Sequence, residues 1–422
     1  MYLNNYPPFI QTLLQAGAEV YEVGGSLRDE ILGLAHKDLD LVIRLLPFSE
    51  LQQILQKQGH LELVGKSFGV LKFIPKGENK TYDLAYPRQE KSTGSGHRDF
   101  EVSFDPHLPL EVDLQRRDFT MNAIAKNLAT GEILDPFEGR KDLEKKLIRQ
   151  VFEKAFVEDP LRMLRALQFS ARFHLKIEEK TFSSIKKNAP LIQSISAERV
   201  VEELKKLFSS DQPSLGFRIF QESGLLSFLF PHLVDHPNFE DFLDKLDGLV
   251  SLVFLSFPKN LFNLFTFLFL KNNQETYFNE AETWLRKYPL SMIGIEQASL
   301  LKILKYWETS LSSQNSDFEL RQFMHHLGLD LLFHYLDLKT LWSQDSTFEL
   351  RSRANKLLEQ SPPLQISDLA IQGKDLLHLG FQPGPLLGKI LKDILLVVLK
   401  DPEFNQKEYL ETYVRKNFAV SD

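Results

Sequence analysis

At 422 residues the chain is too long for one ordinary hydrophobic core, so several domains are expected. Its 43% hydrophobic and 25% charged residues are typical of a soluble globular protein, and the absence of cysteine excludes disulfides and thiolate metal sites and fits a reducing cytoplasm. The net charge of −7 speaks against a nucleic-acid partner as a total, yet residues 141–210 carry fifteen Lys/Arg against ten Asp/Glu, a local +5 that leaves −12 elsewhere. Such a segment binds phosphate backbone or is ordinary solvated helix surface, and charge alone leaves both open.

The N-terminus, MYLNNYPPFIQTLLQAG, has no basic n-region and no small-residue cleavage site, so no signal peptide is expected. A strand is predicted over Glu19–Val23, a helix near Gly25–Leu34 and a strand over Leu39–Arg44. Gly24-Gly25-Ser26 leaves backbone uncovered at a helix start, where N–H groups and the helix dipole attract phosphate. Asp38 and Asp40 then alternate, so in a strand they share one face about 7 Å apart along the chain. Two converging carboxylates suit divalent metal ions, and a phosphate cradle beside them reads as phosphoryl or nucleotidyl transfer. D-x-D alone equally marks the solvent face of an edge strand; its spacing from the glycine turn and Arg28 gives it weight.

A helix near Ser49–Gln58 and strands over Val70–Ile74 and Thr81–Ala85 follow, with Asp83 as a candidate third carboxylate or a plain surface residue. From Lys91 to Glu111 the pattern reads as a polar, glycine-bearing loop, long enough to suggest function. Arg116-Arg117-Asp118-Phe119-Thr120-Met121-Asn122-Ala123 offers guanidinium forks for phosphate and Asp or Asn for sugar hydroxyls, or else incidental charges at a helix start.

Beyond Gly139 strand signals stop, and apolar residues recur at helical spacing, as over Pro160–Phe173. Glu158-Asp159-Pro160-Leu161-Arg162 is an ordinary helix start, with Asp159 as a cap. It also has a sharper reading. Cytosine and adenine both present an amino donor beside a ring-nitrogen acceptor, which an acceptor carboxylate (Asp159) and a donor guanidinium (Arg162) complement. The two are neighbours on one helix face, and Arg165 continues it toward a phosphate. The apolar run Leu249–Leu270 is broken at Pro258 and falls short of the ~20 residues of a membrane span, so buried helices and no membrane contact are expected. Gly380–Pro385, flanked by Lys374 and Lys389, reads as a turn whose amides grip nucleic-acid phosphate, or as a simple helix connection. Strands first and helices afterwards predict an α+β head followed by an all-α remainder.

Taken in order, GGSLRD, KDLD, RRDFTMNA, EDPLRMLRA, the weaker ISAERVVEELKKLF (Ile195–Phe208) and the tail Ser367–Lys400 resemble the class II tRNA nucleotidyltransferases, the CCA-adding enzymes, with their bacterial poly(A) polymerase relatives. The resemblance implies a DNA polymerase beta-like nucleotidyltransferase head (1–140), a neck that reads the base (141–210), a body (211–330) and a tRNA-binding tail (331–422), all helical after the head. It implies untemplated addition of C and A to the tRNA 3′ end from CTP and ATP with Mg²⁺. Asp38 and Asp40 would be the catalytic metal ligands. Gly25 and Arg28 would receive the triphosphate, Arg117 and Asp118 would contact the nucleotide, Asp159 and Arg162 would read the base edge, and Arg165 would be a further contact. Arg88–Glu101 is similar to the family's loop for switching from C to A. Gln168 departs from the pattern, since many relatives carry arginine there, and no His-Asp dipeptide marks an appended phosphohydrolase.

The same-chemistry rivals are A-only addition and poly(A) polymerase, whose usual basic extension is absent from the ending YVRKNFAVSD. A non-catalytic RNA-binding protein would show a broken D-x-D or phosphate turn, and a dinucleotide redox enzyme would need G-x-G-x-x-G spacing.

Overall fold

The computed structural model describes residues 6–35, 39–64, 70–92, 100–252, 257–272, 275–309, 311, 314–342 and 344–418. The chain divides into two compact units, residues 1–235 and 236–422.

The first unit opens with α1 (Pro8–Gln15), β1 (Glu19–Val23), α2 (Gly25–Ile31), β2 (Asp40–Arg44) and α3 (Phe48–Gln58). Five strands follow, β3 (Gly59–Val64), β4 (Val70–Pro75), β5 (Tyr82–Ala85), β6 (Arg88–Ser92) and β7 (Phe100–Phe104). Then come α4 (Leu110–Gln115), β8 (Ala125–Asn127), β9 (Ile133–Leu134), α5 (Gly139–Glu144) and β10 (Leu147–Ile148). The helical part holds α6 (Ala155–Glu158), α7 (Leu161–Phe173), the short β11 (Lys176–Ile177), α8 (Glu179–Asn188), α9 (Ala197–Phe208), α10 (Pro213–Ser223) and α11 (Leu226–Leu229).

Seven strands form one mixed sheet in the order β3-β4-β5-β2-β1-β8-β9, with β2 and β5 parallel and the other pairs antiparallel. Alternation along β2 decides what faces where. Leu41 and Ile43 join Phe9, Leu13, Leu51, Leu55, Phe73 and Leu84 in the core under α1 and α3. Val42 turns to the opposite face, where Val23, Leu110, Leu114, Ala123 and Ala125 pack under α4. Asp40, two residues before Val42, shares that second face.

The expected strands are present with ends shifted by a residue, and the helix expected near Gly25–Leu34 ends at Ile31, with Leu32 closing it. Two expectations need correction. Lys91–Glu111 is not one loop: β6 and β7 pair as an antiparallel hairpin and α4 starts at Leu110. The alternation Phe100-Glu101-Val102-Ser103-Phe104 is a strand signal that the surrounding Gly and Ser obscured; residues 93–99 lie outside the described ones. Strands do not end at Gly139, since β10 and β11 form a parallel pair, each too short for a visible period. α1, β3, β8 and β9 carried no signal that was read.

The second unit is helical among its described residues. It contains α12 (Phe239–Val250), α13 (Phe257–Phe267), α14 (Phe278–Lys287), α15 (Gln297–Tyr306), α16 (Asp317–Leu327), α17 (Leu329–Lys339) and α18 (Gln344–Glu359). α19 (Gly373–His378), α20 (Pro385–Lys400) and α21 (Lys407–Asn417) complete it. Gly380, with φ of 96°, lies in the connection from α19 to α20, and Lys374 and Lys389 are exposed on either side. Among the described residues no helix is long and apolar enough to cross a membrane.

Candidate nucleotide site

One cleft of about 730 Å³ in the first unit is lined by Gly25, Arg28, Asp40, Arg117, Asp118, Asp159, Arg162 and Arg165. These are eight of the nine residues singled out from sequence, drawn from the β1–α2 turn, β2, the segment after α4, and α7. The ninth, Asp38, lies outside the described residues. Nine cationic side chains face three carboxylates across the cleft, which suits a polyanionic ligand.

At its floor, Gly24 adopts φ of 77°, a left-handed conformation that glycine accepts without strain. Any Cβ there would stand 2.9 Å from Arg117 Nη1 and 3.6 Å from Asp40 Oδ2. The turn therefore lets an arginine and a carboxylate approach the backbone. Asp83 stands opposite Asp40 on the adjacent parallel strand, and both line a second hollow of about 210 Å³ with Asp113 and Arg117. Among the described residues, which exclude Asp38, no three acidic or imidazole side chains form a metal cluster.

Buried polar contacts join these elements. Arg28 donates from Nε and Nη2 to Asp29 Oδ1 (2.8 and 2.7 Å) and from Nη1 to Asn122 Oδ1 (2.8 Å). Asn122 Nδ2 donates to Asp118 Oδ1 (3.0 Å), and Arg165 Nε to Asp118 Oδ2 (2.7 Å). Burial alone would raise the Asp118 pKa, but the Arg165 charge and the Asn122 and Arg165 hydrogen bonds hold it below the ordinary carboxylate value. Arg165 also lies 3.8 Å from the buried Glu203 of α9, so its charge is shared between two carboxylates. Asp113, 1% exposed, accepts from Arg116 Nη2 (2.6 Å) and Arg117 Nη2 (3.1 Å), and from the backbone N–H of Arg88 (3.2 Å).

At the other end, Pro160 and not Asp159 is the N-cap of α7; Asp159, one residue before it, accepts from the Leu161 N–H through Oδ1 (3.1 Å). Its Oδ2 accepts from Arg199 Nη2 of α9 at 2.7 Å. Arg162 donates from Nη2 to the Arg116 carbonyl (2.8 Å) and rests on Phe152, while its buried Nη1 has no hydrogen-bond partner among the described residues. A held acceptor and an open donor thus stand side by side at the start of α7. Gln168 is 1% exposed, lines the cleft, and its Nε2 also has no partner among the described residues.

Sequence reading missed Asp113, Arg199 and Glu203 as site residues. Arg199 and Glu203 lie within the weak stretch Ile195–Phe208, whose spacing alone did not say what α9 would touch. Asp113 had only its nearness to Arg116 and Arg117.

The family model described as "Poly A polymerase head domain" matches residues 20–149, and a tRNA nucleotidyltransferase domain 2 model matches residues 264–414. Residues 174–236 match a model described as "Probable RNA and SrmB- binding site of polymerase A". The CCA-adding enzyme of Lactococcus lactis subsp. cremoris is 30% identical over 425 residues, covering 97% of this chain and 95% of that protein. That of Limosilactobacillus reuteri is 32% identical over 418 residues, covering 93% and 91%. The multifunctional CCA protein of Actinobacillus pleuropneumoniae serotype 5b is 41% identical over 219 residues, 50% of each chain, so the chain spans about half the length of that group of relatives. In structure, the Bacillus stearothermophilus CCA-adding enzyme in complex with CTP is similar with a TM-score of 0.74 at 25% identity, covering 97% of this chain and 95% of that one.

Proposed function

The chain belongs to the CCA-adding enzyme family, and on that premise we propose that it adds C and A nucleotides to the 3′ end of tRNA from CTP and ATP without a nucleic-acid template. The observation that carries the reading is the single cleft in which four separate stretches of sequence converge on an excess of positive charge. The relative crystallised with CTP supports the nucleotide class.

In this reading Gly25 and Arg28 receive the triphosphate, and Arg117 and Asp118 contact the nucleotide. Asp159 accepts from the exocyclic amino group of cytosine or adenine while Arg162 donates to the neighbouring ring nitrogen. The open Nη1 of Arg162 supports that role. Uracil and guanine present the reverse pattern and would leave buried groups unpaired, at about 1–3 kcal/mol each. Arg165 acts mainly through Asp118, given its short ion pair there.

The enzyme class generally uses divalent metals, and Mg²⁺ is the proposed ion, held by Asp38 and Asp40. The hard carboxylate oxygens of Asp40 and Asp83 across one strand pair fit such an ion. When bound, the ions activate the attacking tRNA hydroxyl and stabilise the leaving pyrophosphate. The chain's own groups orient the nucleotide, read its base and hold its phosphates. The exposed lysines around Gly380 support tRNA contact by the tail, and a cytoplasmic location completes the proposal.

The test offers tRNA ending at position 73, at C or at CC, with each nucleotide separately. CMP on the first two and AMP on the third are expected. AMP on the CC end alone would make this an A-only enzyme, and untemplated A runs on unrelated RNA would overturn the reading in favour of a poly(A) polymerase.

A further inference from the structure

Two phenyl rings, Phe169 lining the cleft and Phe173 one turn further along α7, have no part in the reading above. Phe169 and Phe173, one turn apart on α7, stack with centroids 5.8 Å apart and planes at 19°. The Arg28 guanidinium carbon lies 4.5 Å from the Phe173 centroid and 5.1 Å from that of Phe169. Arg172 lies over Phe173 and Arg165 over Phe169, each at 5.1 Å. Two rings thus carry three arginines that line the cleft.

The three differ in what else they touch. Arg165 is ion-paired to Asp118. Arg28 uses three N–H groups on Asp29 and Asn122, which leaves two of the five a guanidinium offers. Arg172 is exposed and forms no ion pair among the described residues. A carboxylate partner cancels an arginine's charge and occupies its in-plane donors. An aromatic face attracts the same cation from above and does neither. Two guanidiniums gathered over one ring repel each other, and an anion set between them offsets that repulsion. The Arg28 pKa carries the same signature: burial lowers it, Asp29 counters, and the Arg172 charge lowers it further.

Resting on the reading of this cleft as a nucleotide site, we propose that Phe173 is a positioning residue. With Phe169 it forms a platform that holds Arg28 and Arg172 side by side, still charged, as donors to the phosphates of the incoming nucleotide. Because Arg162 sits on the same helix, α7 sets the spacing between the group that reads the base and the groups that hold the phosphates.

The test uses the full-length protein and compares Phe173→Leu, which keeps an apolar side chain, with Phe173→Tyr, which keeps the ring face. Equilibrium binding of CTP and of inorganic tripolyphosphate, the KM for CTP against kcat, and tRNA binding are read for each. Phe173→Leu is expected to weaken both phosphate ligands and raise KM by roughly tenfold, with tRNA affinity and saturated kcat changed by less than about threefold. Phe173→Tyr is expected to restore binding. Unchanged CTP and tripolyphosphate affinity in Phe173→Leu, or a Tyr variant as weak as the Leu variant, would overturn the platform. Should Phe173→Leu not fold, the exposed Arg172→Ala replaces it, with the same roughly tenfold loss expected and unchanged tripolyphosphate binding counting against the proposal. Wild-type protein that transfers neither CMP nor AMP to tRNA would sink the functional reading alone, since tripolyphosphate binding still decides the platform.

Discussion

Arg199 of α9 holds the carboxylate of Asp159 at the start of α7, with Nη2 2.7 Å from Oδ2. The Leu161 N–H occupies the other oxygen, so the plane of the carboxylate is set from two sides. Selection between bases that differ only in the order of donor and acceptor depends on that plane. Arg199→Ala is therefore expected to reduce discrimination against UTP and GTP by roughly tenfold, about 1.4 kcal/mol, with only modest change in tRNA affinity. Arg162→Ala should relax selection further, because it removes the donor itself. Competition between CTP and UTP on tRNA ending at position 73 measures both. Full C and A preference in both variants would reduce Asp159 to its contact with the Leu161 N–H at the start of α7.

Asp40 shares its strand face with Val42 and stands opposite Asp83 on β5. Asp40→Ala removes a hard oxygen ligand from the floor of the cleft and leaves the helical unit beyond residue 235 untouched. Incorporation of CMP and AMP is expected to fall at least about a thousandfold while tRNA binding persists. Wild-type turnover in this variant would contradict the metal assignment. Asp83→Asn, with a smaller loss of roughly tenfold or more, tests the third carboxylate.

How much of this was visible in the chain depends on the range of the interaction that made it. The apolar run Leu39–Arg44 is local, and it forecast the strand that carries Asp40, while the face Asp40 takes follows from which residues pack on each side of the sheet. The helix start after Asp159 is local too, and the structure shows it with Pro160 rather than Asp159 as the N-cap. The partners that give Asp159 and Arg165 their settings are not local, whereas those of Arg117 lie only four and five residues away. Arg199 lies forty residues from Asp159, and Asn122, which links Arg28 to Asp118, lies ninety-four residues from Arg28. Nothing in single-sequence periodicity encodes which helix will lie against which turn. The β6–β7 hairpin was legible in the alternation of residues 100–104, but its Gly- and Ser-rich surroundings dominated the reading.

Asp113 and Asp118 give the first unit a definite acid response. Burial works against ionisation of both, yet their arginine partners hold both pKa values below the ordinary carboxylate range. A depressed folded pKa means that the stabilisation is complete above the unfolded value near ~4 and is lost as pH falls through the folded value. Unfolding free energy should therefore drop as pH is lowered below about 4. Asp113→Asn should cost about 2–3 kcal/mol at pH 7, since two arginines lose a buried partner, and should flatten the acid slope. Denaturant titrations from neutral to acid pH read both quantities. Parallel slopes for wild type and variant would show that Asp113 contributes nothing to the acid sensitivity.

Gly24 and Gly33 share a left-handed backbone, with φ of 77° and 69°, and differ in what stands over them. A Cβ at Gly33 meets open space, whereas one at Gly24 comes within 2.9 Å of Arg117 Nη1. Alanine at either position costs roughly 1–2 kcal/mol of backbone strain or more, and Gly24, whose ψ of −132° lies outside the left-handed helical basin, carries the larger cost, so both variants should melt at lower temperature, Gly24→Ala the more. Only Gly24→Ala has to displace Arg117, which Asp113 and the Asn122 carbonyl hold at that spot. CTP affinity of the folded protein is therefore expected to fall at least about tenfold in Gly24→Ala and to stay at the wild-type level in Gly33→Ala. Matched CTP binding in the two variants would mean that Arg117 moves aside without loss, and its assignment as a nucleotide contact would fail while the strain argument stood.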